Sequence, residues 1–216
     1  MKYICDVKAF ELGGAPEDTL PLTEGQCPVD AALRAAERGA ALSCGKGVYC
    51  RDGIAQAVLI LRDIARDKSR DGDMALLCSL LKNMKRASDC EVSVRVSGLI
   101  EELITSYEEE WDRHLYRKQC SAMVCPGFYT VHISPGKCTG CGQCEPLCPA
   151  GAIAGQAAYI HVVDNYKCTR CGACFSSCPE DAFIKAGAIK PDVPKEPVPA
   201  GAFAAEPARR RRRRGE

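Results

Sequence analysis

Apolar residues recur every three or four positions through the first half of the chain, then give way to short alternating runs. The clearest stripe is Val92, Val96, Leu99, Leu103, Tyr107, Trp111 and Leu115, which predicts one long amphipathic helix. Ile54, Val58, Leu61 and Ile64 form a second stripe, and Met74, Leu77, Leu80, Leu81 and Met84 a third. The polar stretch RDKSRDGD connects these two. With Val29 to Leu42 added, the pattern predicts about four helices in a small bundle.

Downstream of Pro126 the period changes. Tyr129 to Ile133, Tyr159 to Val163 and Phe183 to Lys185 read as short strands. Beyond Lys190 the chain is rich in Pro and Ala and then in Arg. It has no apolar periodicity to offset the entropy of ordering it, so a disordered tail is expected. The pattern divides the chain into an N-terminal extension (1–26), a helical bundle (27–125), a compact second domain (126–186) and a tail (187–216). The fold class is α+β.

Composition narrows the picture. At 216 residues and 46% hydrophobic content the chain is long enough for a buried core, which argues against global disorder. The formal net charge is +1, and the run Arg209 to Arg214 supplies six positive charges, so the body is mildly acidic. That run could hold polyanions by charge alone. Without interleaved aromatics or a reading fold, specific nucleic-acid recognition is not expected. The opening MKYICDVKAFELGG meets acidic residues too early for a signal peptide, and no apolar run reaches membrane-spanning length. A cytoplasmic protein with no membrane segment is expected.

Cysteine is the outlier, at 16 residues, many at CxxC spacing. That spacing suits metal ligation in a reducing compartment better than a disulfide framework. KCTGCGQCEPLCPAGAI, Lys137 to Ile153, is answered 30 residues later by KCTRCGACFSSCPEDAF, Lys167 to Phe183. Each copy is CxxCxxCxxxCP. Three thiolates two residues apart can wrap one face of a cubane, while the fourth points away to the neighbouring cluster. The expected ligand sets are Cys138, Cys141, Cys144 and Cys178 for one 4Fe-4S cluster, and Cys168, Cys171, Cys174 and Cys148 for the other. Gly140, Gly142 and Gly172 let backbone amides approach the cluster sulfides. A pair of zinc knuckles is the competing reading. Residues 126 to 186 resemble bacterial-type two-cluster ferredoxins, which implies a βαββαβ fold and one-electron transfer.

A second pattern lies in SCGKGVYCRDG. It resembles the ESCGKCxPCREG loop of the NADH-binding flavoprotein subunit of complex I and of related subunits in NAD-linked hydrogenases and formate dehydrogenases. That resemblance implies a 4Fe-4S site in which Cys44, Cys50 and Cys90 match and Gly47 stands where a thiolate is needed. The site reads as a degenerate third cluster site, with Cys78 more a buried apolar residue than a substitute ligand. The preceding CPVDAALRAAERGAALSCGK and the following DRHLYRKQCSAMVCPG continue the likeness, so it covers about residues 27 to 186 in family order. The family's flavin and NADH half needs a glycine-rich phosphate loop, and the isolated pairs Gly13-Gly14 and Gly45/Gly47 do not make one. Neither flavin nor NAD is expected on this chain.

Cys27, His114, Cys120 and Cys125 form a candidate zinc set, since three thiolates and one imidazole suit closed tetrahedral zinc; bifurcating relatives are expected to use comparable residues as a structural joint. His132 and His161 read as structural or surface groups, Trp111 and Tyr107 as core, and EEEWDRH as a solvated helix face. No acid, base or nucleophile constellation stands out. The chain therefore reads as an electron-transfer subunit, not an enzyme alone, relaying single electrons among redox partners of a hydrogenase, formate dehydrogenase or NADH dehydrogenase. The alternatives are an accessory half of a split NADH dehydrogenase and a non-redox scaffold or nucleic-acid-binding protein.

Overall fold

A computed structural model describes residues 20–203. The described residues divide into two compact units that meet at the Phe128–Tyr129 boundary of the chain. The arginine run from Arg209 to Arg214 lies outside the described residues.

In the first unit, α1 spans Pro28–Leu42, α2 Ile54–Ala65, α3 Asp73–Ala87, α4 Glu91–Ser106 and α5 Glu108–Asp112. Helix α1 starts with proline at its first position, where no intrahelical N–H is needed. Its buried face is nearly all small: Ala31, Ala32, Ala35, Ala36 and Gly39. Small residues let the helices approach closely. A Cβ at Gly39 would lie 2.4 Å from Val96 on α4, so only glycine fits there. The facing residues Ile54, Leu61, Ile64, Leu77, Leu81, Met84, Val92, Val96, Ile100 and Leu103 are fully or almost fully buried. Each large aliphatic side chain in that set contributes about 1.5–3 kcal/mol by leaving water.

The three upstream helices match the sequence stripes. The fourth does not run unbroken from 92 to 115. It breaks at Tyr107 (φ −131°, ψ 38°) and resumes as α5, which continues into a π-helical turn at Arg113–Arg117. The break has local partners. Tyr107 Oη accepts a hydrogen bond from the Leu22 amide at 2.7 Å, and Trp111 Nε1 donates to the Leu103 carbonyl at 3.1 Å. Residues 20–26, read from sequence as an extension, thus belong to the bundle, with Leu20 and Leu22 packed on its core. A second π-helical turn, Tyr49–Gly53, leads into α2.

The second unit holds β1 (Thr130–Ile133), β2 (Ile153–Ala154), β3 (Tyr159–Ile160), β4 (Val162–Val163), α6 (Ala173–Ser177), β5 (Phe183–Ala186) and β6 (Val198–Pro199). β1 pairs antiparallel with β5, β2 with β4, and β3 with β6. The expected βαββαβ order is recognisable, with two differences. The fourth-cysteine segment of the first repeat forms turns where the second forms α6. The run Tyr159–Val163, expected as one strand, is divided between two partners, β6 and β2.

The expectation of a featureless tail from residue 187 also needs correction over the part described. Val198 pairs with Ile160, and the Ala200 amide donates to the Ala158 carbonyl at 2.9 Å. Composition hid this because β6 has two residues and borrows its order from β3. The boundary between units falls after Phe128, since Phe128 packs in the helical core and Tyr129 in the core of the second unit.

Candidate metal centres

The second unit contains two cavities lined by cysteine. Cys138, Cys141, Cys144 and Cys178 line one, and the space between the walls is about 340 Å³ including the part open to solvent. Cys148, Cys168, Cys171 and Cys174 line the other, about 370 Å³ on the same measure. Three cysteines in each ring come from one repeat and the fourth from the other repeat. The crossing is set by the turn after each third cysteine, which carries Cys148 and Cys178 to the neighbouring ring.

The two rings share their electrostatics. Burial pushes the Cys144 thiol up to about 11, with Cys138, Cys141 and Cys178 adding charge repulsion. Burial likewise raises Cys174 to about 11, with repulsion from Cys168, Cys171 and Cys148. Four converging thiolates in a partly buried ring are unfavourable unless a metal core compensates them. The crossing cysteines also receive matching amide donors: Ala152 N–H to Cys148 Sγ at 3.3 Å and Ala182 N–H to Cys178 Sγ at 3.4 Å. Such N–H···S bonds stabilise charge on sulfur and are one of the controls a protein has over cluster potential. Donor type, number and spacing all fit one 4Fe-4S cluster per cavity.

Glycine serves the loops in two ways. Gly140, Gly142 and Gly172 have φ of +73°, +75° and +84°. At Gly140 a Cβ would also come within 2.6–2.8 Å of the Ala158–Tyr159 backbone, whereas Gly142 and Gly172 face open space. Gly140 is therefore required by chain packing as well as by backbone conformation. Arg170, its counterpart in the second repeat, takes φ +59° with a full side chain.

His161, read from sequence as a structural or surface group, is buried. It is 1% exposed and lines the same cavity as Cys138, Cys141, Cys144 and Cys178. Its Nδ1 lies 3.1 Å from the Tyr159 carbonyl, which can only accept, so Nδ1 carries the hydrogen. Nε2 is buried without a hydrogen-bond partner. The strand alternation gave no reason to place it inward, because β3 ends at Ile160 and β4 starts at Val162.

In the first unit, Cys27, His114, Cys120 and Cys125 place their ligand atoms within 4.8 Å of one another, and all four residues are buried. They are the only such group of three or more among the described residues. Cys27 precedes α1, His114 lies in the π-helical turn after α5, and Cys120 and Cys125 come from the loop that follows. Cys27 Sγ is 3.4 Å from His114 Nε2 and 3.6 Å from Cys125 Sγ. His114 Nδ1 donates to the Glu110 carbonyl at 2.8 Å, which turns Nε2 towards the sulfurs. Phe128 closes the site with its ring edge-on to the imidazole, 4.8 Å between centroids.

Charge in this group is strongly coupled. Burial opposes a charge on His114, but hydrogen bonds to Cys120 and Cys27 outweigh it and raise its pKa to about 10. Hydrogen bonds with Cys125 and then Cys27 hold Cys120 far below the usual thiol range, and the same contact with Cys120 pushes Cys125 far above it. The quartet fits a closed, tetrahedral divalent ion. The EEEWDRH stretch is thus only partly a solvated face. His114 and Trp111 are buried, and the Glu110 carboxylate accepts from the Ser121 amide at 2.9 Å and hydroxyl at 2.7 Å, anchoring the cysteine loop.

The third predicted set behaves differently. Cys50 and Cys90 meet, with Cys50 Sγ–H donating to Cys90 Sγ at 3.1 Å. Cubane ligands bind separate irons and stand apart around the core. Here two of the three predicted cysteine sulfurs are in contact, and Gly47 supplies no donor between Cys44 and Cys50. Cys78 lies half-buried on α3.

Two family models match the chain, one within each unit. Residues 30–114 match the NADH-ubiquinone oxidoreductase-F iron-sulfur binding region, and residues 137–183 match a 4Fe-4S dicluster domain. The NADP-reducing hydrogenase subunit HndC of Solidesulfovibrio fructosivorans is 33% identical over 119 residues, which is 55% of this chain and 24% of that protein. An NADH-quinone oxidoreductase subunit of Streptomyces coelicolor is 31% identical over 97 residues, 45% of this chain and 22% of that protein. The aligned stretch spans about a quarter of the length of these relatives. A solved NAD+-reducing [NiFe]-hydrogenase aligns with a TM-score of 0.40 and 24% identity over 42% of this chain and 16% of its own; at that level it carries no argument. No helix among the described residues is long and apolar enough to cross a membrane.

Proposed function

From a chain that joins an NADH-ubiquinone oxidoreductase-F iron-sulfur binding region to a 4Fe-4S dicluster domain, we propose a relay that passes single electrons within a larger, cytoplasmic oxidoreductase. The observation that carries the reading is the pair of four-cysteine cavities, each completed by a cysteine from the other repeat. Bound 4Fe-4S clusters supply reversible one-electron chemistry. The residues of this chain hold them, offer N–H donors to Cys148 and Cys178, and limit access of water. Cys141 and Cys171 are the exposed members of the two rings, so each ring has one edge open towards a partner.

Cys27, His114, Cys120 and Cys125 hold structural zinc in this reading. The ion fixes the loop before the second unit and takes no part in electron transfer. The partners are other redox subunits, since the relatives' names describe subunits of a hydrogenase and of NADH-quinone oxidoreductases. The NADH-quinone oxidoreductase relatives also favour a second reading, in which a separate flavin-binding chain docks and makes the pair an NADH dehydrogenase.

The test is metal and sulfide analysis of anaerobically purified protein, with EPR during a redox titration. About eight irons and two one-electron steps are expected from two clusters of four irons. Zinc in place of iron at the eight cysteines would overturn the relay. NADH oxidation that appears only with a flavin chain would favour the second reading.

A further inference from the structure

The contact between Cys50 and Cys90 has no counterpart in the dicluster unit. Their sulfurs lie 3.1 Å apart and both residues are 1% exposed. Among the described residues of the second unit no cysteine sulfur hydrogen-bonds another sulfur. Ser43 Oγ lies 2.8 Å from Cys50 Sγ and also donates to the Cys50 carbonyl at 3.1 Å, fixing the loop on which Cys50 rides. Cys90 is held from the other side: it precedes α4, and its amide donates to Ser88 Oγ at 3.2 Å. Two separately anchored backbones thus aim their thiols at each other across a buried site.

The geometry points to a redox-active dithiol at this place: Cys50 and Cys90 form a reversible intramolecular disulfide. A disulfide is about 2.0 Å long, so the sulfurs need approach by only roughly 1 Å. The co-reactant is a small-molecule disulfide. One cysteine sulfur attacks it and displaces one of its thiols; the second cysteine then attacks the mixed disulfide and releases the other. Two cysteine S–H bonds and one reagent S–S bond are replaced by one protein S–S bond and two reagent S–H bonds, so atoms and electrons balance. The cross-link closes a loop of about 40 residues that contains α2 and α3, and it fastens the start of α4 to the 43–53 loop. The outcome is a two-electron centre in the unit whose cluster-type loop has lost one ligand position to Gly47.

The full chain, purified anaerobically with its metal centres, is equilibrated in mixtures of reduced and oxidised dithiothreitol, quenched in acid, unfolded, alkylated and digested. A peptide pair joined through Cys50 and Cys90 is expected, its ratio to the free thiols following the oxidised-to-reduced reagent ratio one for one. Cys90→Ser leaves Cys50 alkylated throughout. The wild-type titration decides alone if that variant fails to fold. Alkylation of both residues at every ratio, or a joined peptide that pairs Cys50 with Cys44, would overturn the proposal. So would iron at this loop in wild-type protein, read as about four irons beyond the eight of the dicluster unit. Cluster absorption is followed in the same samples, so failure of the thiol pair stays distinct from failure of the electron relay.

Discussion

The sulfurs of Cys27 and Cys125 lie 3.6 Å apart although 98 residues separate them in the chain. Zinc–sulfur bonds of about 2.3 Å in a tetrahedron put neighbouring sulfurs about 3.8 Å apart, so this edge is already close to the length the ion requires. Purified protein is expected to hold one zinc. Cys120→Ser should lose it and lower the melting temperature of the helical unit, since loss of a structural metal is among the few single changes that cost more than about 4 kcal/mol. Elemental analysis alongside thermal unfolding checks both. A zinc-free wild type, or a Cys120→Ser variant that melts like wild type, removes the structural-zinc assignment.

Cys178 lines the cavity of Cys138, and Cys148 lines that of Cys168. Shared cavities make a prediction about non-additivity. Pairing Cys138→Ser with Cys178→Ser should remove one cluster and leave about four irons in the dicluster unit, whereas pairing Cys168→Ser with Cys178→Ser should strip both and leave almost none. If each repeat held its own four cysteines, the two double variants would exchange outcomes. Iron content and EPR of anaerobically prepared variants decide between them.

How much could be read in advance follows from where each signal resides. The CxxCxxCxxxCP repeats place eight cysteines by local spacing, and that spacing survives folding because the loops are short. The helical stripes held for α1 to α3, where one buried face lasts a whole helix. The stripe through Tyr107 misled because Tyr107 and Trp111 stay partly or fully buried on both sides of a helix break. Periodicity reports burial and cannot see a kink. β6 and His161 were out of reach for a related reason. Val198 owes its place to β3, distant in sequence, and His161 is buried between two strands that the sequence read as one. The third cysteine set was half legible. Gly47 announced a missing ligand, but the Cys50–Cys90 contact depends on how Ser43 and Ser88 anchor the two segments.

Gly140→Ala should damage the second unit more than Gly142→Ala. Both positions have left-handed φ, which costs an L-residue of order 1 kcal/mol or more. Only at Gly140 would the new methyl strike backbone, that of Ala158 and Tyr159, and backbone cannot swing aside as a side chain can. The strand it would displace carries β3 towards His161 and the first cavity. Cluster loss in the presence of an iron chelator is therefore expected to be several-fold faster in Gly140→Ala than in Gly142→Ala. Equal rates would mean that φ alone dictates glycine at both sites.

Gly47 offers the sharpest test of the first unit. Its φ lies outside the left-handed region, and a Cβ built there meets only the Cys50 Cβ at 3.6 Å, an ordinary contact. Gly47→Cys should therefore fold. It would set a third thiol of the CxxCxxC run beside Cys50. Iron can then compete with the sulfur–sulfur contact: binding a cluster must draw Cys50 and Cys90 apart onto different irons, and that motion opposes disulfide formation between them. Anaerobic reconstitution of Gly47→Cys is expected to raise iron from about eight towards about twelve per chain. The same protein should show a smaller Cys50–Cys90 disulfide fraction than wild type at equal reagent ratio. A variant that gains no iron while keeping its disulfide fraction would show that the loop has diverged by more than one ligand. Ser43 would then be the next residue to examine, because its hydroxyl donates to the Cys50 carbonyl and lies 2.8 Å from the Cys50 sulfur.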